Sequence, residues 1–409
     1  MIVIVNVRSS GESLAEILGQ RGLRWVNLHE ETSSESRAVP GAEQVIVHHD
    51  LAESVERLRS LSIDAVLPGS ESGVTLANEL AAALGLAHNA PELAAARRDK
   101  LLMAQAVEAY GLPGPRTRIV HTAEELDSLL AEWDSYPVVV KPASSAGSDG
   151  IAIAYSADLA RAAFETLHGT VNRMHVRNDG VVVQEYLKGT LFIVNTVSAN
   201  GVHVVTDVYE KRIDELDGRP VCRHLLLRKE LDDFEESAVK YTFQCLDALG
   251  LRNGAAHTEL MKTESGPRLV EVNSRLMGPA MPSDVFVPSL GYSQATMLLD
   301  RYLNESGFLR QVDSPYAPQR YLAQAQLRTS RSGVIRAMPG LDAIRALPGF
   351  LAFGKLPTPG RQIADPLLTT AANGICYFSH QDEAVLRASL DQLHQLEDAE
   401  AVFDLVPNS

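Results

Sequence analysis

The sequence is poor in cysteine and contains no long apolar run. Its three cysteines, Cys222, Cys245 and Cys376, lie far apart and form no CxxC pair. This spacing argues against a disulfide framework or a cysteine-ligated metal, and it favours reduced thiols in a cytoplasmic protein. The opening MIVIVNVRSSGES lacks the basic region of a signal peptide, and no segment approaches the roughly 18 apolar residues of a membrane helix.

Basic residues are also scarce relative to acids. Lysine and arginine number 37 against 52 aspartates and glutamates, which gives a net charge of −15. This balance argues against nucleic acid or an anionic membrane as the main partner. The 409 residues, 45% of them hydrophobic and 22% charged, are typical of a globular protein of two or three domains.

The first hundred residues alternate apolar strand patterns with helical ones. Strands are predicted at 2–7, 43–49 and 63–69, and helices at 12–21, 52–61 and 72–86. This alternation predicts a doubly wound parallel sheet, which binds ligands at the carboxyl ends of its strands. The loop PGSESG at 68–73 lies at such an end.

The rest of the chain has a mixed α+β pattern with mostly antiparallel strands. A helical linker over 90–115 leads into it, and helices are predicted at 157–168, 235–249, 293–306 and 382–396. Strands are predicted at 136–142, 151–156, 180–187, 190–198, 202–210, 255–263, 267–275 and 374–379.

A loop of small residues follows a lysine in VVVKPASSAGSDGI. Lys141 ends an apolar strand, and the loop 144–150 leads into another strand. Small residues let backbone N–H groups approach an anion, and serines add hydroxyl donors. The loop is neither a Walker A nor a GxGxxG turn, because no helix follows it. The pattern favours phosphate binding, with an ordinary hairpin as the alternative.

Acidic residues interrupt two apolar strands in HTELM and LVEVNSR. Side chains alternate along a strand, so Glu271, Asn273 and Arg275 are expected on one face. The link at 262–267 predicts a hairpin that would bring Glu259 to the same cluster. Such oxygen donors favour Mg²⁺ or Mn²⁺ over Zn²⁺, whereas the alternative is a solvent-facing strand.

Together, the loop, the lysines and the E-x-N-x-R segment resemble the ATP-grasp superfamily over most of the chain. The resemblance implies two α+β lobes that hold ATP, a preceding α/β domain at 1–98 and an ATP-grasp domain at 99–312. It also implies a small lobe at about 112–188 and a β-rich C-terminal subdomain at 313–409 that completes the large lobe.

The resemblance assigns the phosphate contacts to two lysines and to the small-residue loop. Lys100 and Lys141 match the nucleotide lysines, and Lys141 would also lie near the purine. The loop matches the flexible phosphate lid, whose contacts would come from Ser144, Ser145, Gly147 and Ser148.

The resemblance assigns the adenine contacts to VVVQEYLKG at 181–189. Gln184 would face the adenine amino group. The hinge that follows consists of Glu185, Tyr186 and Leu187, with the backbone of the first and last paired to the ring. Many members carry a ribose-binding glutamate where this chain has Leu191, so ribose recognition is expected to come from elsewhere.

The resemblance assigns the metal and the chemistry to the hairpin. Glu259, Glu271 and Asn273 match the ligands of Mg²⁺ or Mn²⁺, implying two ions, and Arg275 matches the arginine that steadies the transferred phosphoryl group. His224 is a candidate for contacting the acyl or phosphoryl group, although a lone strand histidine is more often structural.

Substrate contacts are expected from the loop at 68–73 and from Gly278. Glu71, Ser70 and Ser72 are candidates for binding an amino group. Helix N-capping by Ser70 or Ser72 is the alternative. No residue stands out as the base that would deprotonate the amine.

Within the superfamily, GSESGVTLANELAAALGL and HTELMKTESGPRLVEVNSRLMG resemble the L-amino acid ligases, some of which act in antibiotic pathways. The expected reaction joins a small carboxylate to an amino acid through an acyl phosphate. The alternatives are an ATP-grasp carboxylase, a purine-pathway synthetase, or a nucleotide-binding regulatory protein without turnover. Relatives are typically dimers, so a homodimer is an expectation.

Overall fold

Strands and helices alternate over the first hundred residues. Their bounds are β1 Ile2–Val5, α1 Ser10–Gln20, β2 Trp25–Glu30, β3 Gln44–His48, α2 Leu51–Arg59, β4 Ala65–Pro68 and α3 Val74–Ala83. The computed structural model describes residues 1–30, 39–133, 135–145, 149–279, 281–312, 314–367 and 373–407. The strands pair in parallel in the order β3-β2-β1-β4, which confirms the predicted sheet.

Strand β2 was not predicted. Five of its six residues are buried, but Asn27 and His29 alternate with the apolar side chains. A strand buried on both faces of a parallel sheet usually has a nearly continuous apolar run, and these two residues break it. The pattern therefore resembled a half-exposed segment rather than a central strand.

Two loops meet at the carboxyl edge of this sheet, after β1 and after β4. The N–H of Gly69 donates to Val5 (2.7 Å), and the N–H of Gly11 donates to the carbonyl of Gly69 (2.9 Å). These bonds hold the two loops together, with Ser9 between Val5 and Gly11 and with Glu71 two residues beyond Gly69.

A four-stranded antiparallel sheet follows. Its elements, with the helix that precedes it, are α4 Lys100–Ala109, β5 Thr117–Val120, α5 Ala123–Trp133, β6 Val138–Pro142, β7 Ala152–Ala154, α6 Ala157–Leu167 and β8 Val181–Glu185. The strand order is β5-β8-β6-β7, and β5 and α5 were not predicted. The predicted linker helix is shorter than expected, since two 3₁₀ turns at Pro91–Leu93 and Ala95–Arg97 precede α4.

The remaining elements build a larger sheet and its covering helices. Those up to residue 312 are β9 Thr190–Ala199, β10 Val202–Leu216, β11 Arg219–Leu227, α7 Asp233–Ala248, β12 Gly254–Thr263, β13 Gly266–Asn273, α8 Ser283–Leu290, α9 Gln294–Leu303 and α10 Glu305–Val312. Those beyond it are β14 Tyr321–Gln326, β15 Gly333–Ala337, α11 Leu341–Arg345, β16 Phe350–Phe353, β17 Gln362–Ile363, β18 Ile375–His380, α12 Glu383–Asp398 and β19 Asp404–Val406.

The large sheet has the order β13-β12-β9-β10-β11-β14-β18-β16, and its pairings are antiparallel. The C-terminal residues thus extend the same sheet, while β17-β15-β19 form a separate one. On one face, Val272 and Leu260 pack with Leu246 of α7. Alternation turns their neighbours to the opposite face, where the predicted site residues lie.

Across the described ranges, no helix combines the length and the apolar character needed to cross a membrane. The domain boundaries given above stay a prediction.

Packing at the carboxyl edge of the parallel sheet predicts opposite effects for two glycines of α1. A Cβ on Gly11 would lie 2.5 Å from the carbonyl oxygen of Gly69, whereas a Cβ on Gly19 would meet nothing within 4 Å. Gly11→Ala should lower the free energy of unfolding by about 1–3 kcal/mol through overpacking. Gly19→Ala should raise it by up to about 1 kcal/mol through helix propensity. Urea denaturation measures both, and equal effects would contradict the packing argument.

Candidate active site

A cleft of about 380 Å³ lies between the small antiparallel sheet and the large one. Lys141 and Arg173 line it from the small-sheet side, and Ser9 lines it from the loop after β1. The large sheet supplies most of the remaining lining through β9–β14 and the segment after β13. The N-terminal unit, the small antiparallel sheet and the large sheet therefore all contribute residues to the cleft.

The hairpin of β12 and β13 carries two acids directly opposite each other. Glu259 pairs in register with Glu271, and His257 pairs with Asn273. Directly opposite residues in an antiparallel pair have Cβ atoms about 5 Å apart, so the two carboxylates share one space. The sequence predicted this hairpin and the close approach of its two acids.

Arg275 does not continue the strand, which corrects one expectation. β13 ends at Asn273, and the N–H of Arg275 donates to the carbonyl of Asn273 (2.9 Å) in a tight bend. Arg275 nevertheless lines the cleft with Glu271 and Asn273. The bend, rather than strand alternation, brings it there.

Each acid of the hairpin is compensated by a lysine. Lys211 Nζ lies 2.8 Å from Glu259 Oε1, and Lys100 Nζ lies 3.1 Å from Glu271 Oε1. Burial opposes the ionisation of both acids most strongly. Lys211 and His257 beside Glu259, and Lys100 and Lys141 beside Glu271, outweigh it and hold the pKa of each carboxyl below its usual range. Both acids are therefore ionised at neutral pH, as metal ligands must be.

Lys141 belongs to a buried hydrogen-bond chain. Its ammonium donates to Gln184 Oε1 (2.7 Å), and Gln184 Nε2 donates to Thr117 Oγ1 (2.9 Å). Burial, and secondarily Lys100, lowers the pKa of Lys141 to about 8. These hydrogen bonds fix the Gln184 carboxamide next to Lys141, and the adenine contact expected of Gln184 stays a prediction.

The first residue of the hinge, Glu185 at the end of β8, already makes hydrogen bonds within the protein. The N–H of Glu185 donates to Arg116 (2.9 Å), and its carboxylate accepts from the N–H of Arg116 (3.0 Å). A backbone contact between Glu185 and adenine would therefore use the carbonyl oxygen of Glu185. Tyr186 and Leu187 follow in the open segment that leads to β9.

The described ends of the small-residue loop are tied down by side chains. Ser145 Oγ donates to Asp149 (2.8 Å), Asn172 donates to the carbonyl of Ser144 (2.7 Å), and Lys100 Nζ donates to the carbonyl of Ser145 (3.2 Å). Gly147 and Ser148, the other predicted lid residues, lie outside the described residues.

With this geometry in place, three comparisons with known proteins agree. Residues 134–284 match the ATP-grasp domain. The chain is 28% identical over 409 residues to dapdiamide A synthase of Enterobacter agglomerans, covering 97% of this chain and 96% of that protein. Its fold resembles the L-amino acid ligase from Bacillus licheniformis, with a TM-score of 0.78, 18% identity, and coverage of 100% and 98% of the two chains.

The chain contains an ATP-grasp domain. The resemblance to ATP-grasp ligases inferred from the sequence is thereby confirmed. A more distant fold match is the biotin carboxylase domain of the 2-oxoglutarate carboxylase from Hydrogenobacter thermophilus. Its TM-score is 0.66, with 14% identity and coverage of 99% of this chain and 90% of that one.

Glu71 is an anchor for arginines rather than a free carboxylate. Its two oxygens pair with Arg98 and with Nε of Arg275. Arg275 Nη1 also donates to the carbonyl of Leu276 (2.8 Å). The sequence proposed Glu71 as a ligand for a substrate amino group, but the structure commits it to holding the Arg275 guanidinium.

The other substrate candidates lie near the same edge. Ser72 Oγ accepts from Asn6 Nδ2 (3.2 Å) and shares a hydrogen bond with Ser70, and neither serine makes a side-chain capping bond. The capping alternative is therefore not observed. Gly278 lines the cleft so close to Ser9 that a Cβ there would lie 2.8 Å from Ser9 Oγ.

His224 lies away from the ATP-grasp cleft, which corrects the prediction. A bulge in the pairing of β10 and β11, between Arg212 and Ile213, gives β11 an extra residue. Cys222 and Leu225 face the cleft, whereas His224 Nδ1 lies 3.2 Å from His394 Nε2 on α12, with the two rings stacked. His224 is therefore a packing residue.

The hairpin residues fit a magnesium ion that is completed by phosphate. Among the described residues, no group of three His, Cys, Asp or Glu side chains could hold a metal alone. Mg²⁺ usually takes one or two protein carboxylates and fills its remaining positions with waters and substrate phosphates. Glu259, Glu271 and the amide oxygen of Asn273 match that requirement.

Two charged or titratable cleft residues, Lys211 on β10 and His257 on β12, were not predicted. Lys211 lies in the charged run YEKRIDEL, where a lysine looks like a surface residue. His257 precedes Glu259 by two residues on the same strand face, and its Nε2 lies 3.5 Å from that carboxylate. The two-residue alternation of strand side chains could have placed His257 on the same face as Glu259. Only the pairing of β10 with β9 shows that Lys211 lies in the cleft.

The stacked histidines predict an acid-sensitive fold. Burial lowers the pKa of His224 to about 4 and that of His394 to about 3. In the unfolded chain both take up protons near pH 6.5. Stability should therefore be fully present above pH 6.5 and fall as the pH drops towards 4, by roughly 1–2 kcal/mol per imidazole at pH 5.

His394→Gln should reduce the loss of unfolding free energy between pH 7 and pH 5 by roughly 1–2 kcal/mol, because one buried imidazole no longer has to stay neutral. Urea denaturation of the parent protein and the variant at both pH values measures the difference. The same loss in both proteins would show that the histidine pair does not set the acid sensitivity.

Proposed function

We propose that this chain is an ATP-dependent ligase that joins a small-molecule carboxylate to the amino group of an amino acid. The observation that carries the proposal is the convergence of Glu259, Glu271, Asn273 and Arg275 on one cleft that also contains Lys100 and Lys141. The relatives support the class, since one is named a dapdiamide synthase and the other an L-amino acid ligase.

ATP and Mg²⁺ are the cofactors that we propose. The matched carboxylase domain was crystallised with MgADP, which supports the pair for proteins with this fold. Glu259, Glu271 and Asn273 would hold the ion, and bound Mg²⁺ would neutralise phosphate charge and orient the γ-phosphoryl group.

The first chemical step requires a carboxylate to attack the γ-phosphate. Two anions must then approach each other, so fixed positive charge at the point of contact lowers the barrier. Arg275 would supply that charge, because Glu71 holds its guanidinium in one orientation and leaves Nη2 near Asn273. Lys100 and Lys141 would bind the phosphates, and the products of this step are ADP and an acyl phosphate.

In the second step, the amine attacks the acyl carbon and phosphate leaves as the amide bond forms. The amine must lose a proton, and the leaving phosphate carries away the charge that Arg275 stabilises. The charged groups of the cleft therefore act on the same phosphoryl group in both steps.

Single- and paired-substrate assays test the proposal. Purified protein with ATP and Mg²⁺ is incubated with a matrix of amino acid pairs, and phosphate release is read together with product mass. The proposal predicts phosphate release that needs two substrates and a product mass equal to their sum minus water. Phosphate release that depends on bicarbonate would instead indicate an ATP-grasp carboxylase or a purine-type synthetase.

Neighbouring residues after β13 give a matched mutational test. Arg275→Ala should lower kcat/KM by at least about 10²–10³-fold, because a preorganised donor to the transition state is lost. Ser274→Ala is the control, because Ser274 adjoins Arg275 but does not line the cleft, and its hydroxyl makes no hydrogen bond within the described residues.

Turnover by Arg275→Ala at the rate of Ser274→Ala would rule out the role given to the arginine. Glu271→Ala should likewise abolish phosphate release. Unchanged phosphate release after that substitution would favour a nucleotide-binding regulatory protein, with the measured phosphate coming from a contaminating enzyme.

A further inference from the structure

Strand β14 presents two glutamines to the end of the cleft remote from the acids. Gln324 and Gln326 are two residues apart, so their side chains share one sheet face, with Cα atoms about 7 Å apart. Both line the cleft, whereas Ala323 and Ala325 pack in the core on the other face. Neither glutamine belongs to the metal and phosphate set.

Both glutamines have an unsatisfied acceptor. The Oε1 atoms of Gln324 and Gln326 are buried and have no hydrogen-bond partner in the described part of the chain. Gln324 is only 3% exposed. Buried polar atoms in native proteins are nearly always hydrogen-bonded, because leaving one unpaired is costly. Two adjacent acceptors therefore indicate a ligand that brings donors.

The surroundings of the pair are apolar. Gln324 is in register with Leu225 of β11 and Tyr377 of β18, and Gln326 with Ile375. These three neighbours belong to one apolar cluster. A few polar groups among apolar side chains fix the orientation of a ligand, so the two carboxamides favour a polar group of the ligand at this end of the cleft.

The charges of the cleft limit the kind of donor. Its described lining contains two carboxylates, those of Glu259 and Glu271, against the cations Lys100, Lys141, Arg173, Lys211, Arg219 and Arg275. Each of the two acids already pairs with a lysine, and Arg219 pairs with Asp365 (2.9 Å). A ligand ammonium would add another cation, and a ligand carboxylate has no donor for the two Oε1 atoms. An uncharged N–H donor suits both conditions.

Resting on the proposed ligase function, we propose that Gln324 and Gln326 form a specificity subsite for a carboxamide carried by one of the two substrates. The NH₂ group of a primary amide has two donors, which matches two acceptors. β9, β10 and β11 separate β14 from β12, so at about 4.8 Å per strand the pair lies roughly 19 Å across the sheet from Glu259. The carboxamide therefore lies on the part of the ligand remote from the transferred phosphoryl group.

Isosteric amino acids test the subsite in both substrate roles. L-Asparagine and L-glutamine are compared with L-aspartate, L-glutamate, L-leucine and L-methionine, each with alanine as the second substrate. In at least one role, kcat/KM should favour the amide by about 10–100-fold, because the isosteres leave the acceptors unpaired. Equal kcat/KM values across each set in both roles would overturn the proposal.

Gln324→Met and Gln326→Met remove the acceptors at nearly constant volume. Each should reduce the preference for the amide, and the double variant should reduce it towards one, while the KM for ATP shows that the fold is intact. Gln395→Met, the same substitution on the exposed side of α12, is the control and should keep the preference. A preference that survives in the double variant would overturn the assignment of these two residues.

Binding separates failure of the subsite from failure of the ligase function. Calorimetry with a non-hydrolysable ATP analogue and Mg²⁺ measures L-glutamine against L-glutamate and L-methionine without turnover. Tighter glutamine binding that the double variant loses supports the subsite even if no amino acid pair releases phosphate, in which case the ligase function alone fails. Turnover without any amide preference in rate or binding defeats only the subsite. If the methionine variants do not fold, the wild-type preference decides.

Discussion

The architecture of the site depends on holding two carboxylates opposite each other inside the protein. Glu259 and Glu271 are cross-strand partners, and like charges in that position repel. Burial increases the cost, and Lys211 and Lys100, which each contact one acid, offset it. Lys211 comes from β10 and Lys100 from the start of α4. The ionised acids of the hairpin therefore depend on β10 and α4, which supply the neutralising lysines.

A second buried charge system ties the N-terminal sheet to the same place. Glu71 follows β4 and pairs with Arg98 before α4 and Arg275 after β13. A guanidinium with a fixed partner loses less conformational freedom when it binds a phosphoryl group, so its charge is preorganised. The loops after β1 and β4, locked together through Gly11 and Gly69, thus position a residue of the ATP-grasp domain.

The sequence predicted the features that depend on local pattern. The parallel sheet followed from alternating apolar runs, and the hairpin followed from two strands joined by KTESGP. It could not predict features that depend on an irregularity or on a distant partner. A bulge in β11 turned His224 towards α12, and a bend after Asn273 replaced the expected strand position of Arg275. Lys211 looked like a surface lysine because only the pairing of β10 with β9 places it over Glu259.

One continuous sheet connects the two ends of the cleft. The acids lie on β12 and β13, and the unpaired glutamines lie on β14, with β9, β10 and β11 between them. Groups mounted on strands of one sheet keep their spacing better than groups on loops. The distance between the phosphoryl end and the glutamine end is therefore a property of the fold, and it restricts the length of a ligand that can reach both. Loops around the cleft can change which side chains fit, but the strand order sets that length.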